Sequence, residues 1–167
     1  MLLPAEGLVY VNPDDIAREL NPENPLAARI EAGRKALHRI DSLIEKGESF
    51  AIESTLSGLQ HLKTIQKAQR RGYVVSVIYV YVESPEVCIA RIAARVMGGG
   101  HFIPDEDVRR RYWRSRRNFV SRYAPSVDTW ALFHNGESQI VYVARGQRGK
   151  QDAVFSRVLY DKFKEGL

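Results

Sequence analysis

The segment Tyr73 to Val82 constrains the fold more than any other part of the chain. It is a run of Val, Ile and Tyr broken only by Ser76, the composition of a strand packed against neighbours on a pleated surface. Immediately after it, Ser84-Pro85-Glu86 has the signature of a helix start, with proline at the first helical position. The same pattern occurs earlier. Ser49-Phe50-Ala51-Ile52-Glu53 is mostly apolar without alternation, as expected of a parallel strand covered on both faces. It is followed by helical spacing at Leu59, Leu62, Ile65 and Ala68 that ends at Arg70-Arg71-Gly72. Strands that alternate with helices imply βα units, right-handed crossovers and a parallel sheet.

The rest of the chain fits this scheme. Leu8-Val9-Tyr10-Val11 is a short strand, and Asn12 caps a helix over about Pro13 to Leu20. A longer helix is expected from about Leu26 to Glu45, with Ile30, Leu37, Ile40, Leu43 and Ile44 on its apolar face. Ser57 is the expected cap of the third helix, and the fourth should run from Pro85 to about Met97. Gly98-Gly99-Gly100-His101-Phe102-Ile103-Pro104 reads as a flexible loop, after which Asp105 should cap an arginine-rich helix to about Tyr123. Two late strands, Trp130–Phe133 and Gln139–Val143, flank the turn signal Asn135-Gly136, and a last helix is expected from Ala153 to Phe163.

With 167 residues and 44% hydrophobic content, the chain suits one domain with a full core. No apolar run approaches the roughly 20 residues of a membrane span, and the first residues lack the features of a secretory signal. A soluble, cytoplasmic protein is expected. Cys88, the single cysteine, lies among Val87 and Ile89 and reads as a buried, inert thiol.

The net charge of +5 is unevenly spread. Arg91, Arg95, Arg109, Arg110, Arg111, Arg114, Arg116, Arg117 and Arg122 fall in one stretch, which suggests phosphate on a nucleotide or nucleic acid. Arg91 and Arg95 lie one helical turn apart and can face the same way. Three neighbours on one helix, such as Arg109, Arg110 and Arg111, cannot all point at one ligand, so part of the cluster must be solvated surface. Helix, glycine loop and basic helix together suggest a lid over phosphates, where arginine offsets charge during transfer.

Parallel sheets bind ligands beyond the carboxyl ends of their strands. At those ends stand Asn12, Asp14 and Asp15, then Glu53, Ser54, Thr55 and Ser57, then His134 and Asn135. Asp14 and Glu53 would share one sheet edge, as a general base and a substrate or metal anchor. Asp14 is also what a helix's first turn favours for its dipole alone. Glu53 closes an apolar strand, where an unpaired charge is costly.

Taken in order, Asn12-Pro13-Asp14-Asp15-Ile16-Ala17, Glu31-Ala32-Gly33-Arg34, Gly47 through Gly58 with Glu53-Ser54-Thr55, Arg95, Gly99-Gly100-His101-Phe102-Ile103-Pro104 and Arg109-Arg110-Arg111-Tyr112 resemble the zeta-toxin-like P-loop kinases. The resemblance runs from about Leu8 to Gly149. It implies a three-layer α/β fold, a parallel sheet with helices on both faces, and a single domain over residues 1–167 with a lid at about 91–122. It also implies ATP- and Mg²⁺-dependent phosphorylation of a small hydroxyl substrate, which for zeta toxins is a UDP-activated amino sugar. On that pattern Asp14 takes the hydroxyl proton, and Glu53 and Thr55 hold the substrate. Arg34 falls with the substrate group, although its chemistry alone assigns it no role. Arg91, Arg95 and Arg110 serve the phosphates, and His101 stands where the family has a second lid arginine. An antitoxin partner is part of the same picture.

The chain departs from the family at its start. The strand, the Gly-rich loop ending in Lys and Ser or Thr, and the following helix do not occur before Leu8, so incomplete or inactive chemistry is expected of this chain alone. A truncated product, a misassigned start or a pseudoenzyme would each produce this. Ala144 to Gln151 follows a strand but lacks the loop's first glycine and its Mg²⁺ hydroxyl, and reads better as a basic surface turn. Without the central strand, the strands at 49–53 and 73–82 should pair directly or recruit a second copy of the chain. Two other functions compete with the kinase. One is a basic module for nucleic acid or another anionic partner, although no nucleic-acid motif is present. The other is a regulatory scaffold that keeps only the substrate pocket.

Overall fold

A computed structural model of the chain describes residues 8–98, 100 and 102–167. The chain forms two compact units, divided between Ser54 and Thr55.

The first unit is built from β1 (Val9–Val11), α1 (Pro13–Leu20), α2 (Pro25–Lys46) and β2 (Phe50–Ile52). Asn12 caps α1 as its sequence predicts, its side chain accepting from the Asp14 backbone N–H at 2.9 Å. The two strands pair in parallel, with Val9 opposite Phe50 and Val11 opposite Ile52. On α2, Ala28, Ala32 and Ala36 recur every fourth residue and are buried, so this stripe of small side chains lets neighbouring backbone come close. Ile40, Leu43 and Ile44 continue the buried face, whereas the predicted core positions Ile30 and Leu37 are exposed. β2 itself is half-buried rather than covered on both faces.

The second unit contains α3 (His61–Arg70), β3 (Ser76–Tyr81), α4 (Pro85–Met97), α5 (Asp105–Asn118), a π-helical turn (Phe119–Tyr123), α6 (Ala124–Ser126), β4 (Thr129–Asn135), β5 (Ile140–Gln147), β6 (Lys150–Val154) and α7 (Arg157–Lys164). Its sheet runs β3-β4-β5-β6. β3 and β4 are parallel, as the βα reading requires, but β4-β5-β6 is an antiparallel meander. One face carries the core: Tyr79, Tyr81, Trp130, Leu132 and Val143 pack with Phe119, Tyr123 and Phe163. The Tyr79 and Phe119 rings stack 4.5 Å apart, and the Tyr79 hydroxyl meets Ser115 at 2.8 Å.

Several expectations need correction. Ser57 does not cap α3; its hydroxyl lies 2.9 Å from that of Thr55, and Gln60 precedes the helix without a side-chain cap. Leu56 between them takes a positive φ of 53°, a local bend that delays the helix. Asp105 is the first helical residue of α5 and Pro104 occupies the cap position. The stretch assigned to a terminal helix begins instead as β6, because Arg148 and Gly149, at φ 46° and 77°, form a tight turn that folds the chain back on β5. The segment 144–151 is therefore a hairpin, which settles it as a turn and not a phosphate loop. β2 pairs only with β1, and β3 only with β4, among the described residues. The direct pairing expected of these two strands is absent, since each finds its partner inside its own unit.

Candidate functional site

β1 and β2 end together, so the parallel register that sets Val11 beside Ile52 carries the next residues, Asn12 and Glu53, to one edge. The Asn12 side-chain amide donates to Glu53 Oε2 at 3.3 Å, and the Tyr10 hydroxyl donates to the same oxygen through a short hydrogen bond. Tyr10 and Asn12 are two apart on one strand and share a face. The carboxylate pushes the Tyr10 hydroxyl up to about 12, first by accepting its hydrogen bond and then through partial burial and charge repulsion. Tyr10 therefore stays protonated near neutrality and remains a donor that fixes Glu53.

Asp14 sits in the first turn of α1, exposed, immediately beyond Asn12. Asp15 beside it is paired with Arg18 at 2.6 Å. This edge thus presents one carboxylate fixed by neutral donors and a second at a helix start, where the peptide dipoles favour the charged form. Arg34 lies exposed in the middle of α2. Tyr10 is the site residue that sequence reasoning missed; its place two residues before Asn12, on the strand leading to the acidic edge, was the available signal.

The second unit carries Thr55, Arg91, Arg95 and Arg110. Thr55 is exposed, its hydroxyl near Ser57 and its carbonyl accepting a short hydrogen bond from Ser115. Arg91 Nη2 donates to the Asn135 carbonyl at 3.0 Å, which ties the second turn of α4 to the end of β4. Arg95 closes α4: its carbonyl accepts from the Gly98 and Gly100 N–H groups at 3.1 and 2.9 Å. A side chain at position 100 would come within 2.6 Å of the Arg95 stem and 2.8 Å of its carbonyl, so only glycine allows this approach. Arg110 pairs with Asp107 at 2.5 Å. His101 lies outside the described residues.

The arginine stretch does not form one surface. Arg109 reaches Glu86 at 3.4 Å, while Arg116 is buried. Arg116 donates to the Tyr112 hydroxyl at 2.8 Å, to the Lys162 carbonyl at 3.0 Å and, through a short bond, to the Phe163 carbonyl. Its guanidinium lies over the Phe163, Trp113 and Tyr112 rings at 4.8, 5.2 and 5.3 Å. It holds α7 to α5 and is unavailable to a ligand.

Among the described residues no cluster of three or more His, Cys, Asp or Glu could hold a metal ion, and no helix is long and apolar enough to cross a membrane. The second unit has cavities of about 410 and 470 Å³, one on the outer sheet face beside Ser76, Thr129, Tyr142 and Arg145, the other beside Gln69 and Asp128. Neither includes Arg91, Arg95 or Arg110. Cys88 is half-buried, and desolvation pushes its thiol up, in keeping with an inert role.

A family model described as "Zeta toxin" matches residues 4–158. An uncharacterized protein of Haemophilus influenzae is 39% identical over 104 residues, covering 62% of this chain and 74% of the relative. A chain from the AvrRxo1-ORF1:AvrRxo1-ORF2 complex solved with sulphate ions superposes with a TM-score of 0.70 at 22% identity, over 92% of this chain and 52% of the other. The same complex solved with ATP gives a TM-score of 0.68 at 22% identity, with the same coverage. A chain from the PezAT chromosomal toxin-antitoxin system of Streptococcus pneumoniae gives 0.61 at 16% identity, over 96% of this chain and 68% of that one. These structures share the α/β fold. The chain spans about half the length of the AvrRxo1 chains it matches.

Proposed function

The chain belongs to the zeta toxin family, and from that premise we propose that residues 1–167 work as one kinase-like domain, with about residues 91–122 as its lid, that phosphorylates a small hydroxyl substrate. The observation that carries this reading is the edge of the β1–β2 pair, where Glu53 is pinned by Tyr10 and Asn12 and Asp14 opens the next helix. Glu53 anchors the acceptor through its hydroxyl groups, with Thr55 and Arg34 as further substrate contacts. Asp14 accepts the proton of the reacting hydroxyl as its oxygen forms the new bond to phosphorus and the bond to the nucleoside diphosphate breaks. ATP supplies the phosphoryl group. Arg91, Arg95, His101 and Arg110 are the groups proposed for its phosphates, and the acceptor class is a nucleotide-activated sugar. The described residues offer cations for phosphates but no metal cluster, so no role here is routed through Mg²⁺. A toxin of this kind is proposed to act in the cytoplasm and to be held in check by an antitoxin, as the naming of the PezAT system suggests for that pair. A homodimer is a further proposal, tested by light scattering.

The test is calorimetric titration of the full chain with a UDP-activated amino sugar and, separately, with ATP–Mg²⁺. The sugar nucleotide is expected to bind, and Glu53→Gln to weaken it by about tenfold, the loss of one charge-assisted hydrogen bond. Failure to bind, or equal binding by the variant, overturns the acceptor-site reading. ATP–Mg²⁺ is expected to bind this chain weakly, since residues 1–167 contain no Gly-rich loop ending in Lys-Ser or Lys-Thr. The competing nucleic-acid reading predicts a steep fall of affinity with salt in gel shifts. The dispersal of the arginines between ion pairs and the core argues against it.

A further inference from the structure

The carboxyl ends of β3 and β4 hold a second polar group that the proposed chemistry does not use. Glu83 lies two residues beyond β3, and His134 is the penultimate residue of β4. Their side chains meet, His134 Nε2 to Glu83 Oε2, at 3.2 Å. The imidazole is largely enclosed, with 13% of its side chain exposed, and lies 5.0 Å from the Tyr81 ring, so the ring has little freedom to leave Glu83. Glu83 is about half exposed. Its carboxyl is held below the usual range first by its own backbone N–H, then by His134, with a further contribution from the charge of Arg91. The neighbouring residue of β4, Asn135, accepts the Arg91 hydrogen bond through its carbonyl. Ser84, between Glu83 and α4, caps that helix by accepting from the Val87 N–H at 3.4 Å.

These contacts form one assembly. The imidazole fixes the Glu83 carboxylate, and the carboxylate lies within electrostatic reach of the Arg91 guanidinium. The end of β4 then takes one of the five guanidinium N–H donors, leaving others for a ligand. We infer that Glu83 and His134 are positioning residues that hold Arg91 in a fixed pose at the ends of β3 and β4, ready for an anionic phosphate group. An unrestrained arginine loses rotamer freedom when it binds, and one already held loses less. The inference rests on the reading of Arg91 as a phosphate contact only for its functional consequence. The restraint itself is a separate, testable property.

The experiment therefore has two arms, both on the full chain. In the first, without ligand, the Arg91 guanidinium is followed by ¹⁵N NMR. Slow rotation and separate Nη resonances are expected in the native chain, and merged, rapidly exchanging resonances in Glu83→Gln and His134→Gln. Unchanged Arg91 resonances in both variants overturn the inference, and the use of two variants guards against one that fails to fold. In the second, ATP is titrated by chemical-shift mapping. Arg91→Ala should weaken binding by about tenfold or more. Glu83→Gln and His134→Gln should weaken it about three- to tenfold, without contacting ATP themselves. Should Arg91→Ala weaken binding while neither positioning variant does, the inference fails and the phosphate reading stands. Should Arg91→Ala bind ATP as the native chain does, the phosphate reading fails, and the first arm alone decides whether the restraint is real.

Discussion

Two parallel strand pairs in this chain end in a carboxylate, and the neighbours of each carboxylate differ in kind. Glu53, beyond β2, is met by neutral donors, the Tyr10 hydroxyl and the Asn12 amide, and a second acid opens the next helix. Glu83, beyond β3, is met by an imidazole and lies near a guanidinium. The same backbone rule, ligands beyond the carboxyl ends of parallel strands, places both groups. What each edge can do is set by the neighbours. An acid held by neutral donors keeps its negative charge for a substrate hydroxyl or proton, whereas an acid spent on cations orders those cations for an anion.

The largest effect that would break this contrast concerns Asp14. With ATP in excess and a UDP-activated amino sugar as acceptor, Asp14→Asn is expected to lower kcat by about 10²–10⁴-fold, the usual weight of a general base, with acceptor affinity changed less than about twofold. A variant as fast as the native chain would reduce Asp14 to a helix-start acid. Next in size is Arg116→Ala. It removes a buried cation from the Lys162 and Phe163 carbonyls and from three aromatic rings, and is expected to cost about 3 kcal/mol, read as a lower urea midpoint. Arg110→Ala, whose partner Asp107 is on the surface, should cost less than about 1 kcal/mol. Equal losses would show that the arginine stretch is one functional surface after all.

The acidic edge was legible in the sequence because its rules are local. Asn12-Pro13-Asp14 is a cap, a proline and a first-turn acid, and the structure forms that start as written. Glu53 ended an apolar strand and needed a partner, which the β1–β2 register supplies. Tyr10 was passed over because a tyrosine in an apolar strand reads as core; only pairing with β2 turns its hydroxyl toward an acid. The arginines were legible as a charge cluster but not in their separate fates. Arg116 differs from Arg117 by one step around a helix, and which of the two is buried depends on where α7 packs. β6 was read as helix because its identity comes from the Arg148-Gly149 turn, a left-handed pair whose effect is not visible in apolar periodicity. Ser57 failed as a cap because the bend at Leu56 redirects the chain before the helix begins.

Tyr10→Phe gives a smaller effect on the same contrast. It removes one donor from Glu53 while keeping the ring, so acceptor affinity should fall about three- to tenfold with little change in unfolding midpoint. No change in affinity would mean that Glu53 holds its pose without Tyr10, and the acidic edge would then depend on Asn12 alone.

The smallest effect comes from a carboxylate at the opposite end of the second sheet, where no function is proposed. Asp128 immediately precedes β4, and its Oδ2 accepts from the Val75 N–H at 2.9 Å and the Gln69 side chain at 3.3 Å. The Val75 N–H, followed by Gln69, holds the carboxyl below its ordinary value. A carboxyl whose folded value is depressed binds its proton more readily in the unfolded chain, so its contribution is complete above the ordinary carboxylate value near 4 and is lost as pH falls through the lower folded value. Asp128→Asn should therefore be less stable than the native chain at pH 7, by about 1 kcal/mol, and the two should converge as the medium is acidified below about pH 4. Neither Arg91 resonances nor acceptor affinity should respond to this substitution. A purely structural carboxylate moves stability alone, whereas Glu53 and Glu83 should each move a ligand or an arginine. If Asp128→Asn also weakens acceptor binding, then placement at a strand's carboxyl end no longer separates the functional acids from the structural one.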